Sequence, residues 1–375
     1  MVHLGKVNYK NSMVNFASAL MKNYNIHSEY EASALVEYLL SKRYRHVVVI
    51  MLDGLGINVI DSNLGNGSIL KTHQIMTLNS VYPPTTVAAT TAFKTGKAPI
   101  ESGWLGWHLY LKENDPSIVL FKNKEYLTNE DFTKYQVEDI MDATPWYKTL
   151  RGTKTYTIIP SWGENGVENF SDGIEQVKEI CTKDEKNFTF FYWDNPDYLM
   201  HEYGINSQVV KVNLFDIEAK MEKLSNELPN DTIVFITADH GMIDVEAVEL
   251  NRYPDLINCL SKPFAGEGRC AQFYVKDDMH DDFVNTFNKY FKESFKLFTK
   301  KEFIESKLAG AYQVHDVTNV ALGDYVAVGI GEYFFVQEIK EDDLVFKAHH
   351  AGLTQEEMQV PVILFKRKDE KEDEE

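Results

Sequence analysis

The sequence predicts an α/β fold: a largely parallel central sheet with helices on both faces, plus a smaller inserted α+β cap region. Three observations carry this expectation. Four runs, "HVVVIMLDGLG" at 46–56, "TYTIIPSW" at 155–162, "NFTFFYWDNPD" at 187–197 and "DTIVFITADHG" at 231–241, are rich in β-branched and aromatic residues without polar alternation, as strands buried on both faces are. Helix-like segments such as "VVKVNLFDIEAKMEKLSNEL" at 209–228 lie between them, and strands alternating with helices make a parallel sheet. From 246 to 344 the pattern changes to shorter strand-like pieces with one helix-like piece, "DDFVNTFNKYFKES", which reads as an insertion.

Taken in chain order, "MVNFASALMKNY" and "EASALVEYLLSK", within 12–42, space their apolar residues for helices leading into the core. The stretch "SVYPPTTVAATTAFKTG" at 80–96 reads as a helix start: Pro presets φ, Ser or Thr caps the exposed N–H groups, and Gly96 stops the helix. "VPVILF" at 360–365 brings the chain back to the sheet. The expected organisation is a discontinuous catalytic core of residues 1–245 and 345–366, a cap of residues 246–344, and an acidic, disordered tail at 367–375.

At 44% hydrophobic and 25% charged residues the chain has the composition of an ordinary globular protein. Its formal net charge of −19 argues against a nucleic-acid polymer as partner, which calls for a basic footprint. A small anionic substrate stays compatible with that charge, because bound cations reverse the local field. Cys181, Cys259 and Cys270 are too few and too scattered for a disulfide framework or a thiolate zinc site. The first residues lack a basic region followed by an apolar run, and no stretch approaches the roughly 18 apolar residues of a membrane span. The expectation is a cytoplasmic protein with no membrane partner.

The chemistry-bearing residues fall after the strands. Asp53 follows the first run, and Asp197 and His201 stand four apart, the spacing that puts two side chains on one helix face. Asp239 and His240 close the fourth run, and His349 and His350 precede the last strand. Singly, each has an ordinary explanation as a turn residue, a solvated helix face or a surface histidine. Jointly, they gather carboxylate and imidazole donors at the strand exits, where α/β proteins build their sites. These donors suit zinc, with manganese or iron also compatible, and the lack of thiolates indicates a catalytic set. They suffice for two ions, which in such sites lie roughly 3.5–4 Å apart and clamp the attacking and leaving oxygens at phosphorus. Thr85 or Thr86, at the positive end of a helix dipole, offers the hydroxyl that attacks.

The segments "MLDGLG", "YPPTTVAATTAFKTGKAPIESG", "DNPDYLMHEYG", "TADHGM" and "HHAGLTQEEMQVPVILF" occur in the order and spacing of the alkaline phosphatase superfamily. Within it the chain most resembles the type I phosphodiesterase and nucleotide pyrophosphatase branch, over roughly residues 44–365. The resemblance implies Thr86 as nucleophile. It implies Asp53, Thr86, Asp239 and His240 around one zinc, and Asp197, His201 and His350 holding the other, His350 being preferred to His349 because it directly precedes "AGL". The implied reaction is hydrolysis of phosphodiesters or nucleotide pyrophosphates through a covalent threonine intermediate. Phosphomonoester or phosphonate hydrolysis is the neighbouring alternative, and a non-catalytic metal-binding descendant the remote one.

One position departs from the branch, which usually carries Asn three residues after the nucleophile. Here that residue is Ala89. Stabilisation of the non-bridging oxygen then falls to backbone N–H groups at the helix start, or to Trp107 and His108 in "GWLGWH". Arg269, in "GEGRC", is expected to make a structural ion pair.

Overall fold

The computed structural model describes residues 5–366. The acidic tail expected at 367–375 lies outside the described residues. The central sheet has six strands in the order Gln74–Asn79, Gln359–Lys366, Thr232–Thr237, His46–Leu52, Asn187–Trp193, Lys154–Ile158. His46–Leu52 is parallel to both neighbours, with Val49 opposite Phe190 on one side and Phe235 on the other. Lys154–Ile158 continues the parallel set. Gln359–Lys366 alone runs antiparallel to its two neighbours. That reversal has a consequence for the site: the loop entering this strand lies at the same sheet edge as the exits of the parallel strands.

Adjacent residues of the Asn187–Trp193 strand show why helices cover both faces. Phe190 stacks on Phe93 of the helix Thr86–Thr95, with centroids 5.0 Å apart, while Phe191 stacks on Phe170 of the helix Phe170–Cys181 at 5.5 Å. Successive strand residues point to opposite faces, so these two helices lie on opposite sides. The helix Met13–Asn23 joins the first side, its Phe16 meeting Phe235 edge-on at 5.7 Å. Each fully buried ring contributes roughly 1.5–3 kcal/mol by leaving water, which makes this two-sided core the main source of stability and a rigid base for the loops.

A second, seven-stranded sheet is antiparallel throughout, in the order Phe295–Thr299, Tyr325–Gly329, Cys270–Val275, Leu260–Glu267, His108–Tyr110, Ser117–Val119, Lys124–Glu125. It joins the 246–344 stretch to residues 108–125, whose strands of two and three residues are too short to show a period in sequence. The helix His280–Phe291 lays Phe283, Phe287 and Phe291, four residues apart, onto this sheet against Phe273 and Phe295, and Phe291 also meets Phe335 of the neighbouring strand Tyr333–Val336. Cys181, Cys259 and Cys270 are buried and free. Among the described residues no helix is long and apolar enough to cross a membrane.

Candidate active site

Five chain segments meet at the sheet edge. Asp53 follows the His46–Leu52 strand, and its backbone carbonyl accepts from the Asp197 N–H at 3.0 Å, which draws the first two carboxylates together. Gly54 makes this approach possible: its φ is +72°, and a Cβ there would lie 3.0 Å from Asp197 Cβ. Asp197 opens the helix Asp197–Tyr203, whose single turn brings His201 Nε2 to 3.3 Å from Asp197 Oδ2. Asp239 and His240 follow the Thr232–Thr237 strand, and Gly241 lets this turn pass the 356 carbonyl, which a Cβ would meet at 2.0 Å. His350 arrives on the loop ahead of the antiparallel strand, its Nε2 3.9 Å from Asp197 Oδ1.

Thr86 is the first residue of the helix Thr86–Thr95, which Gly96 ends in the left-handed conformation, as expected. Its Oγ1 lies 3.4 and 3.2 Å from the two carboxylate oxygens of Asp53 and 3.2 Å from His240 Nε2. His240 Nε2 is in turn 3.2 Å from Asp53 Oδ1 and 3.6 Å from Asp239 Oδ2. All seven residues expected at the site are therefore joined through one set of contacts. Ligand atoms fall into two groups, each within 4.8 Å: Asp197, His201 and His350, and Asp53, Asp197 and His240. Asp197 belongs to both, so the two sets share a carboxylate that sequence reasoning assigned to one.

These buried groups shift one another strongly. Burial and the neighbouring Asp197 charge raise the Asp53 carboxyl. Asp239, with 0% exposure, is pushed up to about 8 by burial and by Asp53. Burial pulls His240 down, but the Asp239 and Asp53 carboxylates outweigh it and raise it to about 10. Asp197 Oδ1 and Asp239 Oδ2 are buried with no hydrogen-bond partner. Natural interiors rarely leave such atoms unpaired. Two carboxylate oxygens left without a donor, beside three imidazoles, make a donor set that fits divalent ions such as zinc.

Sequence reasoning missed two residues. Tyr192 donates its hydroxyl to Asp53 Oδ2; a tyrosine inside an otherwise apolar buried strand must find a partner, which was the available signal. Glu267, at the end of the Leu260–Glu267 strand, accepts from Thr85 Oγ1 at 2.7 Å. Burial pushes the Glu267 carboxyl up to about 7 against that hydrogen bond. The expectation that a Ser or Thr caps this helix start is not met at the N-cap residue Thr85, whose hydroxyl makes no cap bond and goes to Glu267 instead. Arg269 makes the expected ion pair, with Glu357. His349 is buried beside the site, its Nδ1 2.9 Å from the His350 N–H.

Trp107 is half-buried, with Lys122 Nζ 5.5 Å from its ring centroid. His108 is buried in the second sheet, its ring 3.5 Å from that of Tyr126 and its Nδ1 3.0 Å from Ser117 Oγ. Burial pulls the His108 imidazole down to about 3. In the unfolded chain it takes a proton near pH 6.5, so between about 6.5 and 3 the unfolded state binds more protons. The contribution of His108 to stability is therefore complete above that window and lost as the pH falls through it. Melting temperatures of wild type and His108→Phe between pH 7 and 5 are expected to fall more steeply for the wild type, and equal slopes would contradict this.

Residues 47–355 match the family described as type I phosphodiesterase / nucleotide pyrophosphatase, and the chain belongs to that family. A stretch of 96 residues, 23% of this chain, is 30% identical to human ectonucleotide pyrophosphatase/phosphodiesterase family member 5. That stretch spans only 20% of the human protein. Among solved structures, murine ectonucleotide pyrophosphatase/phosphodiesterase 5 superposes with a TM-score of 0.64 at 18% identity, covering 85% of this chain and 88% of that one. An inactive form of the murine protein in complex with AMP gives 0.63 at 17% identity, with coverages of 85% and 87%. The human counterpart gives 0.63 at 16% identity, with the same coverages. At these identities the structural likeness establishes the shared fold.

Proposed function

We propose that this chain hydrolyses phosphodiesters or nucleotide pyrophosphates, with Thr86 as the nucleophile. The observation that carries the reading is the contact of Thr86 Oγ1 with both Asp53 and His240 at the first position of a helix, where these two residues are joined by further contacts to Asp197, His201, Asp239 and His350. The AMP complex of the murine neighbour supports a nucleotide as the substrate chemistry. Family membership supports hydrolysis at phosphorus.

Two divalent ions are part of the proposal, with zinc the preferred identity. Asp53, Thr86, Asp239 and His240 would surround one, and Asp197, His201 and His350 would hold the other. When bound, the ions supply Lewis-acid stabilisation of the hydroxyl and phosphoryl oxygens. The chain's own residues do the rest. Thr86 gives its proton to solvent as its Oγ1–P bond forms and the bond from phosphorus to the leaving oxygen breaks; the leaving group departs on the opposite side of phosphorus and takes a proton from solvent. Water then cleaves the Thr86 phosphoester, restoring the hydroxyl and releasing the second product, so each turnover consumes one water. Tyr192, through its hydrogen bond, fixes the orientation of the Asp53 carboxylate during both steps.

Turnover of a chromogenic phosphodiester and the matching monoester, with Zn²⁺, with Mn²⁺ and after exhaustive chelation, tests this reading. The diester is expected to turn over faster, chelation to abolish both activities, and Zn²⁺ to restore them. Activity indifferent to chelation would sink the metal-assisted mechanism, and a dominant monoesterase rate would move the assignment to the neighbouring chemistry.

A further inference from the structure

Thr85 stands at the N-cap of a ten-residue helix in the extended conformation of a capping residue, φ −140° and ψ 151°, yet its side chain makes no cap bond. The hydroxyl instead donates to Glu267 Oε1 at 2.7 Å, a contact between residues 182 apart in sequence. Glu267 is 5% exposed. Desolvating a carboxylate is costly, so a glutamate kept here in place of an apolar residue calls for a reason. Because Thr85 is turned away, its side chain offers the first-turn N–H groups of the helix no acceptor. The site beside them also holds the unpartnered, buried Asp197 Oδ1 and Asp239 Oδ2, which independently mark it as a ligand position.

We propose that Glu267 is a positioning residue that holds the Thr85 hydroxyl off the helix N-terminus, keeping the first-turn N–H groups open to a non-bridging oxygen of the substrate. The proposal rests on the reading of Thr86 as nucleophile. Ala89 has no side-chain donor to offer that oxygen, so on this helix the backbone N–H groups are the donors that remain. Without Glu267 the Thr85 Oγ1 turns inward and accepts from the N–H of Val87 or Ala88, the usual cap geometry. It then occupies donors the transition state needs. The hydrogen bond is thus asymmetric in its effect: losing the glutamate harms catalysis, while losing the hydroxyl does not.

The test measures kcat and KM for a chromogenic phosphodiester on the metal-loaded full chain and its variants. Glu267→Ala is expected to lower kcat roughly tenfold or more, in line with the loss of one oxyanion donor, with KM changed less than about threefold. Glu267→Gln keeps an acceptor for Thr85 and is expected within about threefold of wild type. Thr85→Val alone is expected to hold kcat within about threefold, and Thr85→Val with Glu267→Ala to be more active than Glu267→Ala alone. A wild-type kcat in Glu267→Ala, losses that multiply in the double variant, or a tenfold loss in Thr85→Val would each overturn the proposal. Thr85→Val decides the matter even if Glu267→Ala does not fold. Thr86→Ala, measured in parallel, separates the two levels: full activity there removes the nucleophile reading, whereas an inactive Thr86→Ala beside unaffected Glu267 variants removes only the positioning role.

Discussion

Thr86→Ala is expected to lower kcat/KM for a phosphodiester by on the order of 10³-fold or more, while the melting temperature stays within a few degrees of wild type. The two halves of this expectation have separate physical grounds. The Thr86 hydroxyl is the only one among the described residues that contacts both Asp53 and His240, so no neighbouring hydroxyl replaces it in forming a bond to phosphorus. Stability is spared because the side chain is only partly buried at the first helical position, where Ala has the best helix propensity. Asp53 also keeps its hydrogen bond from Tyr192. Thr86→Ser retains the hydroxyl and is expected to retain measurable turnover. Steady-state kinetics on both variants, with melting curves as the control, decide the point, and full activity in Thr86→Ala would remove the nucleophile.

The parts of this site that sequence reasoning reached share a physical property: each is announced by a local pattern. Asp53 and the Asp239–His240 pair end apolar runs, and Asp197 and His201 have helical spacing, so chain position alone sends them to the sheet edge. His350 was reached by resemblance, and its position became physically intelligible only through the antiparallel direction of Gln359–Lys366, which a six-residue apolar run does not encode. The sharing of Asp197 between two ligand groups depends on a backbone hydrogen bond from the Asp197 N–H to the Asp53 carbonyl, across 144 residues, and no spacing rule reports that.

Glu267 was hidden for the same reason at larger scale. Its partner Thr85 sits on the central fold, while Glu267 sits on the second sheet. A Ser or Thr cap was the locally sound expectation for this helix start, since Thr before a helix with extended φ and ψ normally caps it. A tertiary acceptor outcompeted the local one. The energetic reason is in the acceptor: in its ionised form, which burial shifts toward pH values above about 7, the Glu267 carboxylate gains more from a hydroxyl donor than backbone N–H groups gain from a hydroxyl oxygen, because charge-assisted hydrogen bonds are about twice as strong as neutral ones.

Arg269→Ala is expected to cost about 3–5 kcal/mol of stability, read as a large fall in the urea midpoint, and to reduce the metal content of the purified protein. Arg269 and Glu357 are both 0% exposed and form two parallel hydrogen bonds, Nε to Oε1 at 2.7 Å and Nη2 to Oε2 at 2.8 Å. Nη1 also donates to the carbonyls of Gly331 and Tyr333. Glu357 in turn accepts from the Gly352 N–H and the Thr354 hydroxyl, both at 2.7 Å, on the loop that follows His350. Removing the guanidinium leaves a buried carboxylate uncompensated and two carbonyls without a donor, which is why the cost exceeds that of an ordinary surface pair. Arg269→Lys is expected to recover little, because an ammonium cannot make the two parallel bonds. Replacing both partners with apolar residues does not escape the cost either, since Gly352 and Thr354 would then lose their acceptor. The predicted coupling to metal content follows from chain connectivity: the Glu357 carboxylate fixes the 352–357 turn, and His350 enters the site from the residues just before it. A variant with an unchanged midpoint would show that the pair contributes no net stability, and one that is destabilised yet keeps its full metal content would show that the loop holds His350 without it.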